Sequence, residues 1–404
     1  MSANDPNLDW LVSVDDHVIE PANVWFDRLP AKHRDAGPRL LDDDAWYYED
    51  KRLPTSGLSV TVGKRKEEFT PNPVPYSEMR PAAYDPIQRV ADMDRAGILG
   101  SLCFPSLPRF CGQLFWEAED KDLALLCIEA YNDWMIEDWC GAAPGRFIPL
   151  IIIPLWDPVL AAKEMERTAA KGATSFAFSE NPEPLGLPTI HDPNRYWDPV
   201  LAAAQDLQMV VSMHVGSSST MPVISSDAPG LANLTFGGIR AAGTMLAWIF
   251  SDCFERMPGL KIALSEGNIG WMPYFIERAE QVIDKQRHWA KTTSTSFYNN
   301  DVQTEQVMAN LDTLNVRETI RNHIFGCFIE ESSGLRSLDI IGEDNVMVET
   351  DYPHSDTTWP DCIGVARKLL DDAGLAPETQ YKILRGNAEK LYRFTPAEPP
   401  APGA

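Results

Sequence analysis

Four apolar runs of this chain end on residues that bind metals or move protons. Asp15-Asp16-His17 lies at the end of LVSVDDHV, His214 ends MVVSMH, Glu266 ends LKIALSE, and Asp351 ends NVMVETD with His354 three residues on. Three of the seven histidines therefore lie at or just beyond such ends, a placement that chance rarely gives. In a strand, residues i and i+2 share a side, so Asp15 and His17 point together while Asp16 points away. Two imidazoles, His17 and His214, and two carboxylates, Asp15 and Asp351, suit Zn(II), and also Mn(II) or Fe(II), with a position left open for water or substrate. Each piece is weak alone. Asp-x-His is more often a satisfied polar pair, and Asp351 before Tyr352-Pro353 also reads as a turn residue. Their joint occurrence at three run ends points to one metal ion.

The elements that must position these residues follow a rhythm. Eight apolar runs are nearly all separated by helical patterns such as PIQRVADMDRAG, DPVLAAKEMERTAAKG and WDPVLAAAQDLQ. Alternating strands and helices indicate βαβ units and a parallel sheet, and eight repeats favour closure into a (β/α)8 TIM barrel. Barrels place reactive groups at the C-terminal strand ends, where the runs above carry theirs. Residues 21–82 break the rhythm with prolines and the acidic run Asp42–Asp44, and read as an insertion after the first strand. No linker divides residues 1–404, so a single domain is expected, with a flexible Pro/Ala-rich tail over 395–404.

A formal net charge of −24 repels nucleic acid and anionic lipid, so neither is an expected partner. No apolar stretch of about 20 residues offers a membrane span. The seven cysteines form no CxxC pair and read as reduced core thiols of a cytoplasmic protein. The N-terminus lacks the basic and apolar regions of a signal peptide. No GxGxxG, GxxxxGK[ST] or GxSxG motif is present, and SSST at 217–220 has no evident partner base.

On VDDHVIEP, YDPIQRVADMDRAGI, SMHVG, SEGNIGWMPYFIERAE, VETDYPH and ILRGNAEKLY, the chain resembles the amidohydrolase superfamily, in its amidohydrolase-2 branch, related to aminocarboxymuconate semialdehyde decarboxylase. These segments span about residues 11–393. The resemblance implies a barrel with one metal held by the pair on strand one, the histidine of strand five and the aspartate of strand eight, here Asp15, His17, His214 and Asp351. It also implies a homo-oligomer. The chain departs from the pattern in carrying Asp15 where many relatives have His or Glu, Glu266 where the decarboxylases have a histidine, and His354 where some have an aromatic residue.

Two reactions follow from these groups. In non-oxidative decarboxylation of a small carboxylated, aromatic molecule, Glu266 or His354 protonates the carbon that loses CO2. In hydrolysis of an amide, ester, lactone or C–C bond, the metal acidifies water, and Asp351 accepts its proton and passes it on. The resemblance favours decarboxylation; the missing strand-six histidine leaves hydrolysis open. A non-catalytic barrel would have lost ligands, yet all four positions are filled. Arg109 in FPSLPRF, Trp271 and Trp359 are candidate substrate-binding residues, the arginine for a carboxylate. Surface solvation of Arg109 and packing of the tryptophans are the plainer alternatives.

Overall fold

The computed structural model describes residues 7–290, 295–296, 299–303 and 308–399. At its centre β1 (Leu11–Val18) pairs in parallel with β2 (Ile98–Pro105). The third strand is divided at Pro149, which has no N–H to give to a ladder. Its first half, Phe147–Ile148, pairs with β2; its second, Leu150–Ile151, pairs with β4 (Ser175–Phe178). The two halves together are β3. Then β5 (Val210–His214), β6 (Ile262–Ser265), β7 (Ile324–Phe328) and β8 (Val346–Val348) follow side by side. The ring closes just beyond β8, where the Asp351 N–H donates to the Asp15 carbonyl at 2.9 Å and the His17 N–H to the Tyr352 carbonyl at 2.6 Å. This is the expected (β/α)8 barrel.

The strands are buried almost throughout because helices cover the outside and side chains fill the inside. Local chemistry starts and stops those helices. Asp85 accepts from the N–H groups of Ile87 and Gln88 before Pro86–Ala96, and Gly97, at φ 74°, ends it. Asp157 caps Pro158–Ala169 in the same way. The helix Lys121–Trp134 passes into a wider π turn over Met135–Cys140. Between β5 and β6 the apolar segment after Gly238 forms two helices, Ile239–Phe250 and Cys253–Arg256.

The 21–82 segment holds a small antiparallel sheet of Arg39–Leu40, Ala45–Tyr48 and Lys51–Pro54. It is anchored by aromatics: Trp46 lies edge-on to Trp25 at 5.2 Å, and Tyr48 to Phe115 at 5.6 Å. It also reaches the loop after β8, where Thr61 Oγ1 donates to the His354 carbonyl at 2.8 Å. All seven cysteines are free and buried. The tail is not loose from 395, since the Ala397 N–H donates to the Gly145 carbonyl at 2.8 Å; residues 1–6 and 400–404 lie outside the described residues. Among the described residues no helix is long and apolar enough to cross a membrane.

Candidate metal centre

β1 presents Asp15 and His17 to the barrel mouth, both fully buried. Asp16 points the other way into a polar knot. Its Oδ1 accepts from Ser13 Oγ at 3.1 Å, Thr350 Oγ1 at 2.5 Å and the Tyr352 N–H at 3.1 Å, and its Oδ2 from Ser101 Oγ. Asp16 thereby ties β1, β2 and the end of β8 together directly beneath the two candidate ligands. His214 ends β5, and its Nδ1 meets the Val215 carbonyl at 2.6 Å, which turns Nε2 toward the centre.

Asp351 and Glu266 arrive differently from the expectation that strands run out to them. β8 stops at Val348 and β6 at Ser265. Both acids sit in the left-handed region, Asp351 at φ 51° and Glu266 at φ 56°. Such backbone costs about 1–3 kcal/mol at a non-glycine residue and persists where the surroundings fix it. Here Glu349, buried two residues before Asp351, accepts the Glu266 N–H on both carboxylate oxygens at 3.1 Å. Trp271 fixes the same turn by donating to the Gly267 carbonyl at 2.7 Å.

The atoms converge. His17 Nε2 lies 3.7 Å from Asp15 Oδ1, 3.3 Å from Asp351 Oδ1 and 3.2 Å from His214 Nε2. His214 Nε2 is 3.3 Å from Asp15 Oδ2 and 3.6 Å from Glu266 Oε2. His354 stacks on the His17 ring at 3.6 Å and sets its Nδ1 3.2 Å from Asp351 Oδ1. Both carboxylate oxygens of Asp15 and of Asp351 are buried without a hydrogen-bond partner. Orphaned buried acceptors are expensive in a folded protein, and four of them facing two imidazoles fit a divalent cation. The donor atoms of Asp15, His17 and His214, and of His17, Asp351 and His354, are mutually close enough to share one.

The electrostatics agree. Burial, with the charges of Glu349, Asp351 and Glu266, pushes the Asp15 carboxyl well above its usual range. Burial lowers His17, and lowers His214 to about 4, so both imidazoles keep a free lone pair. Burial and the negative charges of Asp351 and Glu349 push Glu266 up. Asp351 is held low despite burial, by His354 and His17. A positive ion among these groups relieves the crowding of carboxylates.

Several participants had no sequence-based expectation. Phe110 stacks flat on His214 at 4.1 Å and edge-on to His17 at 5.7 Å. Its neighbour Arg109 faces away, donating to Ser219 Oγ at 3.2 Å and pairing with Glu117. Arg109 borders a cleft of about 320 Å³ beneath the insertion, together with Glu20, Trp46, Arg52 and Leu107. Glu20 pins the β2 loop by accepting from the Ser106 and Leu107 N–H groups at 2.9 and 2.8 Å. Glu180, after β4, pins the β5 loop by accepting from Gly216 N–H at 3.0 Å and Ser218 Oγ at 2.9 Å, while its own N–H donates to Ser217 Oγ at 2.8 Å, which accounts for two of the serines after His214. Trp359 belongs to packing: its ring lies under Arg80 at 4.7 Å and its Nε1 donates to the Asp92 carbonyl at 3.1 Å. Only the i, i+2 rule, applied backward from Asp351, would have singled out Glu349.

A family model described as amidohydrolase matches residues 32–394. The chain belongs to the amidohydrolase family. His214, Glu266, Asp351 and His354 lie inside the matched stretch, while Asp15 and His17 precede it. Among curated family relatives, a gamma-resorcylate decarboxylase of Polaromonas sp. is 26% identical over 269 residues, 65% of this chain and 75% of that one. Among solved structures, 5-carboxyvanillate decarboxylase of Sphingomonas paucimobilis superposes with a TM-score of 0.62 at 20% identity, covering 96% of this chain and 99% of that one. A dihydroxybenzoic acid decarboxylase of Polaromonas sp., with bound manganese and the inhibitor 2-nitroresorcinol, gives 0.57 at 18% identity, covering 96% and 98%. The two structures share the family's fold with this chain.

Proposed function

We propose that this amidohydrolase is a metal-dependent carboxy-lyase that removes CO2 from a small aromatic acid without an oxidant. The observation that carries the proposal is the set of four unpartnered buried carboxylate oxygens around His17 and His214, with Glu266 beside them, a quarter exposed to the mouth. The substrate class follows the decarboxylase relatives. Asp15, His17, His214 and Asp351 hold the ion. Zn(II) is the first choice for that donor set, with Mn(II), present in the Polaromonas structure, and Fe(II) the alternatives. When bound, the ion supplies positive charge against the substrate's oxygens and the electron pair developed during cleavage.

The chain's own residues do the rest. Glu266, whose carboxyl is pushed up by burial and its acidic neighbours, is the proton donor. As the bond between ring carbon and carboxylate breaks, the pair remains on the carbon, CO2 leaves, and the Glu266 proton joins the carbon; solvent reprotonates Glu266. Phe110 and the ring of His354 give the mouth flat faces for an aromatic ring. Arg109, turned to Glu117 and Ser219, would meet a substrate carboxylate or phenolate only by leaving those partners. Trp271 acts by holding the Glu266 turn. The seven free thiols suit the reducing cytoplasm, and two or more copies are expected in solution.

The test incubates purified protein, loaded with Zn(II), Mn(II) or Fe(II), with dihydroxybenzoates and 5-carboxyvanillate and follows CO2. Release of CO2 should fall at least about 100-fold in Glu266→Gln with metal content retained, whereas His17→Ala should lose metal and activity together. Ester or amide hydrolysis without CO2 release from any aromatic acid would overturn the assignment in favour of a hydrolase.

A further inference from the structure

The opposite face of the barrel carries a second cavity, of about 380 Å³, at the N-terminal ends of β5, β6 and β7. Lys261 precedes β6, Arg321 comes from the helix Val316–His323, and Lys390 and Arg393 come from the last helix and the turn after it. Four cations thus border one cavity in a chain whose net charge is −24. None of the four makes an ion pair with a described carboxylate. Lys261 donates to the Asn322 carbonyl, Arg321 to the Asp339 carbonyl at 3.3 Å and Arg393 to the Leu207 carbonyl at 3.1 Å. The one acid of the lining, Asp344, is already taken by Lys382 at 2.9 Å. Most arginines elsewhere in the chain are paired, as Arg28, Arg80, Arg146, Arg167 and Arg256 are.

The floor has a different character. Phe325, the second residue of β7, is partly open although the rest of its strand is buried. A barrel strand turns its outward side chains to covering helices, and over Phe325 that cover is incomplete. Leu391, also part-exposed, and Met209 complete the apolar lining. Burial and the charge of Lys390 press the Lys261 ammonium below its usual range, so the two like charges feel each other. An anion between them would remove that repulsion.

We propose that this cavity is a second ligand site, for a small aromatic carboxylate, with the ring on Phe325 and Leu391 and the carboxylate among Lys261, Lys390 and Arg321. Its volume falls within the range of small-molecule sites, and unpaired arginine and lysine at an apolar wall suit a flat anion. The ligand class overlaps the substrate class proposed above, so the site rests in part on that reading, but the two are separable because they lie on opposite faces. The catalytic mouth is built at the C-terminal strand ends, and neither Lys390 nor Arg321 belongs to it.

Calorimetric titration of the metal-loaded protein with benzoate, in parallel with inorganic phosphate, tests the site. Two benzoates per chain are expected for the parent and one for the Lys390→Met/Arg321→Met variant, with kcat unchanged. If the proposed reaction is wrong and the mouth takes no aromatic acid, the counts become one and zero, and the cavity still stands. Lys390→Met alone should weaken the second site about tenfold. Equal stoichiometry in parent and double variant would overturn the site. Phosphate binding there as tightly as benzoate would overturn the ligand class. Both replaced residues are solvent-exposed, so folding should be undisturbed; Lys261→Met gives an independent second variant.

Discussion

Asp16 allows a worked test of how the candidate metal ligands are held in place. Replacing it with asparagine leaves the shape and most hydrogen bonds unchanged. Oδ1 still accepts from Ser13, Thr350 and the Tyr352 N–H, and the new amide can donate to Ser101, whose hydroxyl can turn. What disappears is the negative charge that acts on Arg89. That guanidinium is fully buried, donates only to the Ala82 and His17 carbonyls and weakly to Cys103, and stacks over Tyr352 at 4.1 Å. Removing a contacting partner from a buried charge costs about 3–5 kcal/mol; Asp16 acts on Arg89 from beyond ion-pair distance, and its own burial opposes its charge, so the loss lies at the lower end at most. Asp16→Asn should therefore destabilise by about 3 kcal/mol at most, and Asp16→Ala by roughly 1–3 kcal/mol more because the Tyr352 N–H loses its only listener. An unfolding entropy of about 2.1 cal/mol/K per residue over 404 residues turns 3 kcal/mol into a fall in Tm of roughly 3.5 °C. Scanning calorimetry at saturating metal measures it. The decisive comparison uses Arg89→Met, where adding Asp16→Asn should cost about 1 kcal/mol or less. An Asp16→Asn cost under about 1 kcal/mol, or one unchanged in the Arg89→Met background, would refute the view that charge is what Asp16 contributes.

Three further outcomes follow. Burial pushes Glu20 from 4.5 to about 7, so between those pH values the unfolded chain gives up a proton that the folded chain keeps, and stability falls as pH rises, by roughly 3 kcal/mol at most. Glu20→Gln should flatten the plot of Tm against pH over that window; parallel plots for the two proteins would rule the argument out. Glu349→Gln should lower kcat about tenfold while metal per chain stays constant, because one of the two acceptors for the Glu266 N–H becomes a donor; an unchanged kcat means that Glu266 is placed by other contacts. Phe110→Ala removes the face stacked on His214 and should weaken the metal about fivefold in chelator competition, and no change there would confine Phe110 to the substrate side.

Much of the fold was legible because barrel strands are short apolar runs and helix caps are local signals, as Asp85-Pro86 and Asp157-Pro158 illustrate. The candidate ligands were legible for a related reason: Asp15 and His17 share a strand face, and His214 ends its strand. Contacts made across the chain were not. Nothing local distinguishes Phe110 from Arg109 as the side chain that meets the histidines; the choice is made by a left-handed Arg109, at φ 60°, which turns the loop over. The strand-end rule also extended β6 and β8 too far, since Glu266 and the run Glu349-Thr350-Asp351 follow the apolar residues but lie outside the strands. Trp359 was expected near substrate because of its type alone, and two arginines, Arg80 and Arg95, claim its ring.

The closure of the ring by Asp15 and Asp351 has a consequence for how the protein is made. Tyr352 and Asp16, which meet in the knot under the ligands, are 336 residues apart. Bringing such distant points together costs roughly 5 kcal/mol in chain entropy, and during synthesis it must wait until the chain has emerged past Tyr352. A chain halted before β8 holds His17 and His214 but cannot complete the set. With the proposed ligand set, metal capture thus requires both ends of the ring, and a bound ion would act as a clasp between β1 and the end of β8.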